Sequence, residues 1–199
     1  PIHNLRKDAI SNFSELEFPS IKDEEWKYTN IAPLLKYNFR PAASAPKLSR
    51  EDIRKFLFND MPCSLLVFIN GHYSEDLSDI KKAPKGVVIE NIAKSIAGSD
   101  PVVQKHFGKY ADYKSHIFTS LSTAFIRDGA FVYIPDGKIV EEPVHILFIS
   151  SSKDENILSQ PRNLFVAGKN SQATVLEHYV SLDKGIYFTN SVTEIVADE

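Results

Sequence analysis

Apolar residues at the start of the chain recur at the spacing of one helix face. They fall three or four residues apart, at Ile2, Leu5, Ala9, Phe13 and Leu16. This spacing is typical of an amphipathic helix. Pro19 would end that helix, because proline has no backbone N–H and cannot continue the hydrogen-bond ladder. The pattern therefore predicts one helix before residue 19.

Further local signals predict short elements between residues 49 and 125. Ser49 and Asp52 have the spacing of a capping box, which predicts a short helix from residue 50. Asn70-Gly71 lies between two strand-like runs and suits a type I′ turn, so it predicts a β-hairpin. Asp100-Pro101 is typical of a helix N-cap and first turn. Helical spacing over 112–125 predicts a longer helix.

After about residue 125 the pattern changes to one short β-branched and aromatic run after another. The breaks carry turn residues such as Pro135-Asp136-Gly137 and Gly168-Lys169-Asn170. Two architectures make successive strands with short turns: an antiparallel sandwich or barrel, and a β-solenoid with stacked parallel rungs. The run "VHILFIS" at 144–150 is apolar at nearly every position, whereas a half-solvated antiparallel strand alternates. This run favours the solenoid without excluding the sandwich.

Composition indicates a globular chain of one domain, or of one domain and part of another. Of 199 residues, 43% are hydrophobic and 25% are charged, and the formal net charge is −3. This charge gives no broad attraction for nucleic acid or anionic lipid. No apolar run approaches the ~20 residues that span a bilayer. We therefore expect neither a nucleic-acid nor a membrane partner.

Familiar catalytic motifs do not occur in the sequence. It contains no Gly-rich phosphate loop, no H-E-x-x-H and no G-x-S-x-G. His145 and His178 lie in predicted strands and would converge if those strands are neighbours, but a metal site usually needs three or four ligands. We interpret both as solvent-facing or singly hydrogen-bonded. Glu177 adjoins His178, and adjacent strand residues point to opposite faces, so the two are not an acid–base pair.

Other conspicuous residues also have structural interpretations. The single cysteine, Cys63, excludes an intrachain disulfide, suits a reducing compartment and is expected to be a small buried apolar side chain. We interpret Asp23-Glu24-Glu25 as the acidic first turn of a helix, not as a metal cluster. The aromatic residues Phe131, Tyr187 and Phe188 are expected to fill the core.

Several segments in the same order resemble the SufB/SufD family of the Suf iron–sulfur cluster assembly system. The family's early motif of acidic residues, Trp, a basic residue and Tyr-Thr matches Glu24-Glu25-Trp26-Lys27-Tyr28-Thr29. The hairpin "VFINGHYSEDLS" at 67–78 is similar to the family's strand–Asn-Gly–strand element. The segments 160–181 and 187–196 are similar to the rungs that open the family's β-helix.

The resemblance implies an α+β fold. Residues 1–124 would form a largely helical N-terminal region with a short β-hairpin, in which the Trp26 ring is packed and the flanking charges stay in water. Residues 125–199 would begin a right-handed parallel β-helix. The chain starts at Pro1 without methionine and stops in a strand-like run, so we expect a piece of a longer protein. The exposed end of such a β-helix is expected to self-associate.

The resemblance also implies a function. The parent protein would be a cytoplasmic, non-enzymatic scaffold subunit that acts with a SufB-like paralogue and a SufC-like ATPase. An iron–sulfur cluster would be held transiently by the parent complex, and no cofactor is expected in this part of the chain. The family's cluster-site residues and ATPase-docking helices would lie beyond residue 199. We therefore assign no catalytic, cofactor-binding or metal residue here.

Two alternatives belong to other classes of protein. One is a β-helical enzyme that acts on polysaccharides, which needs acids clustered on one strand face. The available acids fall instead at turns and strand ends: Asp128, Asp136, Glu141 and Glu142. The other is a non-catalytic antiparallel β-sandwich that serves as a binding module.

Overall fold

A computed structural model of the chain describes residues 2–58, 60–152 and 155–198. The fold is mixed α+β. The α-helices are α1 (Ile2–Glu15), α2 (Arg50–Ile53), α3 (Ile92–Ala97), α4 (Pro101–His106) and α5 (Ile117–Ala124). Short 3-10 helices cover Glu24–Trp26, Leu34–Lys36 and Arg54–Phe56.

The helix ends follow the local sequence signals. The Ser49 hydroxyl accepts a hydrogen bond from the Asp52 N–H, and Asp52 bonds back to the Ser49 backbone, which completes the predicted capping box at α2. The Asp100 carboxylate accepts from the N–H groups of Val102 and Val103 at the start of α4. The helix predicted over 112–125 is shorter, because α5 begins only at Ile117.

A largely helical first region is not confirmed. In the described part of residues 1–124, α1 is the only α-helix longer than eight residues. The same region also contributes four strands. Side-chain caps begin α2 and α4 but not α3 or α5. Irregular segments such as 16–23 follow or separate the helices.

Strands form most of the regular structure after residue 60, and one short strand precedes it. In chain order the strands are β1 (Arg40–Pro41), β2 (Ser64–Ile69), β3 (His72–Tyr73), β4 (Val88–Asn91), β5 (Ala130–Ile134), β6 (Val144–Ser150), β7 (Ile157–Ser159), β8 (Arg162–Ala167), β9 (Val175–Ser181), β10 (Tyr187–Thr189) and β11 (Val192–Ala197).

These strands form three sheets in the described chain. Their strand orders are β1-β7-β10, β11-β8-β5-β4 and β3-β2-β6-β9. From β5 onward, each strand with a later partner pairs in parallel with the strand three places further along: β5 with β8, β8 with β11, β6 with β9 and β7 with β10. The antiparallel sandwich considered from the sequence is therefore wrong for this region.

Antiparallel pairing among the described strands involves only β2 with β3 and β4 with β5. The first of these pairs is the predicted hairpin. Its turn residues Asn70 and Gly71 have φ values of 50° and 81°, which is the left-handed geometry that the Asn-Gly pair favours. The hairpin prediction is confirmed.

Three apolar clusters hold the sheets together. The central one lies between the inner faces of the sheets that contain β2–β6 and β4–β5, and includes Phe68, Val132 and Phe148. A second cluster covers the outer face of β2 and β6 with Ile53 and Leu77. A third covers the outer face of β5 and β8 with residues of α3 and α4, among them Ile92 and Val103. Covered on both faces, β6 is buried at every position.

Within residues 2–58, 60–152 and 155–198, no helix is both long enough and apolar enough to cross a bilayer.

Candidate functional site

The last strand of each sheet lies at an edge. In the described chain, β9, β10 and β11 each have a parallel neighbour on one side only. An edge strand presents unpaired backbone N–H and C=O groups, which can pair with another strand. We call the surface formed by β9, β10 and β11 the open end. It is the candidate functional site.

Aromatic side chains mark the way from the central core to the open end. Phe68 of β2 stacks on Phe148 of β6, with ring centroids 5.1 Å apart, and Phe148 stacks on Tyr179 of β9 at 4.8 Å. Exposure rises along this row, from 1% and 5% for the two phenylalanines to 42% for Tyr179. The parallel register creates the row, because it repeats one inward position in successive strands.

A polar network replaces the apolar core in the last strands. Glu177 of β9 occupies the position that Ile146 holds in β6. Its Oε1 accepts hydrogen bonds from Asn163 Nδ2 at 2.6 Å and from Thr193 Oγ1 at 2.8 Å. Asn163 is fully buried, and its Oδ1 accepts from the Ala130 N–H at 2.8 Å. The network joins β5, β8, β9 and β11 at the open end.

A cavity of about 370 Å³ opens among these side chains. Its walls carry the Glu177 carboxylate and several hydroxyl groups, including those of Tyr179 and Thr193. The Tyr179 hydroxyl donates to Ser191 Oγ at 2.7 Å, and burial raises the pKa of Tyr179 to about 12. The phenol therefore keeps its proton at neutral pH. The lining groups can form hydrogen bonds, and the Glu177 carboxylate is close enough to the Tyr179 phenol to contribute to its raised pKa.

Apolar side chains are also exposed at the open end. Ile195 of β11 follows Val132 of β5 and Phe165 of β8 in register, and it is 69% exposed, whereas Val132 is buried. Ile186 and Tyr187 are also exposed. Unpaired strand edges with exposed apolar groups are the features of a surface that adds further strands.

A buried ion pair joins β11 to β8 on the outer face beside the open end. The Oε2 atom of Glu194 in β11 lies 3.4 Å from the Nη2 atom of Arg162 in β8, and both side chains are almost completely buried. The Glu194 carboxylate also accepts hydrogen bonds from the N–H groups of Gly108, Tyr110 and Ala111, at 2.7, 2.7 and 3.0 Å. These contacts fasten β11 to the segment that follows α4. They leave its edge open.

His145 and His178 do converge, because β6 and β9 are neighbours. Their rings stack with centroids 5.5 Å apart, and Phe58 lies against both. The solvent-facing or singly hydrogen-bonded interpretation is wrong for His145, which is fully buried and has no hydrogen-bond partner for either ring nitrogen among the described residues. Burial, with a contribution from His178, lowers the pKa of His145 to about 4. It is a neutral core side chain.

Among the described residues, no three His, Cys, Asp or Glu side chains lie close enough together to hold a metal ion. Cys63 is a free thiol that is only half-buried, and burial raises its pKa. The acids Asp23, Glu24 and Glu25 are exposed and begin the 3-10 helix Glu24–Trp26, in agreement with the first-turn interpretation.

The aromatic residues singled out from the sequence have different environments. The ring centroids of Trp26 and Phe118 lie 5.4 Å apart, so the tryptophan ring is packed. Tyr28, two residues later, is 93% exposed. Phe131 is fully buried, as expected of a core residue. The ring centroids of Phe188 and Phe118 lie 6.1 Å apart. Core filling is wrong for Tyr187, which is 41% exposed at the open end, because no described strand lies beyond β10.

The acids considered for polysaccharide chemistry remain apart. Asp128 is buried and accepts hydrogen bonds from Asn91 Nδ2 and from the N–H groups of Ala93 and Gly129. Asp136 follows β5 and accepts from the Lys169 N–H at 2.9 Å. Glu141 and Glu142 lie exposed before β6. The buried and turn acids therefore have structural roles, as N–H acceptors.

The polar network was missed by reasoning from the sequence. Its signal was the occurrence of Asn163, Glu177 and Thr193 at polar positions within otherwise apolar strand runs. Those positions could be seen to face one another only when the register of β8, β9 and β11 was known.

Comparison with known proteins identifies the family. The family model described as the SufBD protein N-terminal region matches residues 1–146. The chain belongs to the SufBD family. This confirms the family that the sequence resembles.

Individual SufBD family proteins are similar over nearly the whole chain. An iron–sulfur cluster assembly SufBD family protein of Synechocystis sp. is 29% identical over 98% of this chain, and that match covers 45% of the relative. The iron–sulfur cluster assembly protein SufD of Bacillus subtilis is 27% identical over the full chain, covering 46% of its own length. SufD of Escherichia coli is 24% identical over 87% of the chain and 38% of its own length. The chain thus spans less than half the length of these curated relatives.

Proposed function

We propose that this chain is part of a non-enzymatic scaffold subunit for iron–sulfur cluster assembly. The observation that carries the proposal is that the chain belongs to the SufBD family and that its relatives are named iron–sulfur cluster assembly proteins. The parallel edge strands β9, β10 and β11 agree with it, because their unpaired backbone groups can pair with further strands.

The strand pairing supports a finer proposal about the fold. Each strand from β5 onward pairs with the strand three places away, as expected when three strands make one turn of a right-handed parallel β-helix. Residues 125–199 would form its first turns. Residues 1–124 would close its starting end, since β1, β2 and β4 each pair with a strand of the first turn. Further strands of the parent polypeptide would then continue from the open end.

The partners follow from the family. A SufB-like paralogue would pair with the parent protein, and a SufC-like ATPase would dock on a part of it beyond residue 199. The paralogue is supported by the similarity of this chain to SufB of Bacillus subtilis, with 27% identity over 57% of the chain. The complex would work in the cytoplasm and hold its cluster transiently.

The proposed role can be tested on the parent protein. Affinity purification of the tagged protein is expected to recover an ATPase and a SufBD paralogue. The same purification from cells that express the untagged protein serves as the control. Purification that recovers neither partner would overturn the proposal.

The expected absence of a resident cluster needs its own test. Incubated alone with iron and sulfide, the 199-residue chain should develop no stoichiometric sulfide-to-iron charge-transfer absorption. A stable chromophore that survives desalting would contradict the scaffold assignment for this part of the protein.

A further inference from the structure

The cavity at the open end carries a negative charge without a positive partner. Its volume is about 370 Å³, and Glu177 is the only charged residue among the described residues that line it. The other polar groups of its walls are hydroxyls, among them those of Ser150 and Thr189. In the described chain, no lysine, arginine or histidine forms an ion pair with Glu177. The cavity therefore presents a carboxylate that no described side chain neutralises.

The strand register places Glu177 on the inner face of its sheet. Leu66, Ile146 and Glu177 occupy successive positions in β2, β6 and β9. Leu66 and Ile146 are both buried in the central apolar cluster. A strand that pairs with the free edge of β9 extends this column by one residue. It therefore covers Glu177 in the way that β9 covers Ile146.

Neutral donors hold the Glu177 carboxylate in place. Its Oε1 accepts from Asn163 Nδ2 at 2.6 Å and from Thr193 Oγ1 at 2.8 Å, so β8 and β11 fix its position. The nearby Tyr179 hydroxyl donates to Ser191 Oγ at 2.7 Å. These hydrogen bonds orient the carboxylate, but none of the donors carries a charge.

A second carboxylate shows how this chain compensates a negative charge under a covering layer. Glu194 is 2% exposed, and its Oε2 lies 3.4 Å from Arg162 Nη2. It also accepts hydrogen bonds from three backbone N–H groups. Burying a carboxylate without a cation is costly, so buried charges in proteins are usually paired. A strand that covers Glu177 has to meet the same requirement.

Relatives of this chain have additional polypeptide from which such a strand can come. The matches cover only 45% of the Synechocystis SufBD family protein and 46% of SufD from Bacillus subtilis. The inference that follows rests on the proposed function, in which a longer parent polypeptide continues the strands from the open end.

We propose that a strand of the parent polypeptide covers the cavity and places a lysine or arginine side chain against the Glu177 carboxylate. All three sheets border the cavity, so a strand added to any of them has access to it. The ion pair also sets the register of the added strand. A slip of one residue turns the cation to the outer face and leaves Glu177 buried without a partner.

An experimental structure of the parent protein tests the pair directly. A lysine or arginine nitrogen from beyond residue 199 is expected within about 4 Å of a Glu177 carboxylate oxygen. A neutral side chain, water molecules or a metal ion in that position would overturn the proposal.

Charge reversal in the parent protein tests whether the pair determines stability. Glu177→Lys is expected to lower the thermal midpoint by about 3 °C or more, because it places two cations together under the covering strand. Glutamate in place of the facing lysine or arginine should have a similar effect, and the two changes combined should restore at least half of the loss. A combined loss equal to the sum of the single losses would contradict the pair.

A matched control and a milder pair of variants complete the test. Glu141→Lys makes the same change at an exposed acid before β6 and should shift the midpoint by less than about 1 °C. If a charge-reversed protein fails to fold, Glu177→Gln and a methionine in place of the facing cation are combined instead. Additive losses in that neutral series would likewise overturn the pair.

Failure of this inference is distinguishable from failure of the proposed function. Copurification of an ATPase and a SufBD paralogue measures the scaffold role without reference to Glu177. Copurification of both partners with a neutral group facing Glu177 would overturn the ion pair alone. An ion pair at Glu177 in a protein that recovers neither partner would overturn the scaffold role alone.

Discussion

β6 and β9 are neighbours in one sheet, run in the same direction and contain seven residues each, yet their environments differ. Every residue of β6 is buried, and no residue of β9 is. β6 has β2 on one side and β9 on the other, whereas β9 is at the edge. The comparison teaches that the position of a strand in the stack decides its burial. It also distinguishes the covered strand β6 from the edge strands β9, β10 and β11, whose unpaired backbone groups can pair with further strands.

The largest expected difference in the free energy of unfolding is between alanine variants of Phe148 and Tyr179, two members of the aromatic row Phe68, Phe148 and Tyr179. Phe148→Ala should lower the free energy of unfolding by about 3–5 kcal/mol, because it leaves a cavity in the central core. Tyr179→Ala, one strand further along, should cost only about 1 kcal/mol, because the ring is already 42% exposed. Denaturant unfolding of both variants measures the difference. Equal losses would show that the open end is as tightly packed as the core.

A pH-dependent difference is expected at His145 on the covered outer face. The pKa of His145 in the folded protein is about 4, below its ordinary value of 6.5. As the pH falls, the unfolded chain therefore takes up this proton first. The associated stability is fully present above about pH 6.5 and is lost progressively down to pH 4, with a limit of roughly 3 kcal/mol.

Unfolding measured from pH 7 to pH 4.5 tests the pH dependence. His145→Leu should flatten the decrease in stability, while His3→Gln, at an exposed position of α1, should leave the decrease unchanged. A His145→Leu protein that loses stability as steeply as the parent chain would show that other groups account for the acid sensitivity.

A smaller difference is expected within the tryptophan motif. Trp26 packs against Phe118, which in turn contacts Phe188 of β10. Trp26→Ala should therefore reduce the free energy of unfolding by about 2 kcal/mol. Tyr28→Ala should change it by less than about 0.5 kcal/mol, because Tyr28 is 93% exposed. Thermal and denaturant unfolding of the pair check the expectation, and a larger effect of Tyr28→Ala would refute it.

The smallest expected effect is at β11. Ile195→Ser should change the stability of the 199-residue chain by less than about 0.5 kcal/mol, because the side chain is 69% exposed. Val132→Ser, at the equivalent position of β5, should cost roughly 2 kcal/mol or more, since Val132 is buried. Denaturant midpoints measure both. A strongly destabilised Ile195→Ser protein would place Ile195 in the folded core.

Several local elements were predictable because their causes are local. The capping box at Ser49, the Asn70-Gly71 hairpin and the Asp100 cap depend on residues within a few positions of one another. The fully buried strand over 144–150 was indicated by its unbroken apolar run. The tryptophan motif and the strand segments indicated the SufBD family, which the family model confirms over residues 1–146.

Long-range pairing was not predictable in the same way. Nothing near His145 in the sequence indicated that Phe58 and His178 would enclose it. Likewise, the order β3-β2-β6-β9 brings the early strand β2 beside β6, which follows it by some 80 residues. The helical content of residues 1–124 was overestimated, because irregular segments there are held by distant contacts such as Trp26 with Phe118.

The sequence by itself determined the turns, the caps, the apolar strand runs and the family, since these depend on residue types at short spacing. Only the tertiary structure decided which strands are neighbours, and therefore which side chains are covered. The physical reason is that burial is a property of the space between strands. Parallel pairing three strands apart stacks Phe68, Phe148 and Tyr179 in one row, and the covering that each ring receives from neighbouring strands decides how far it is buried.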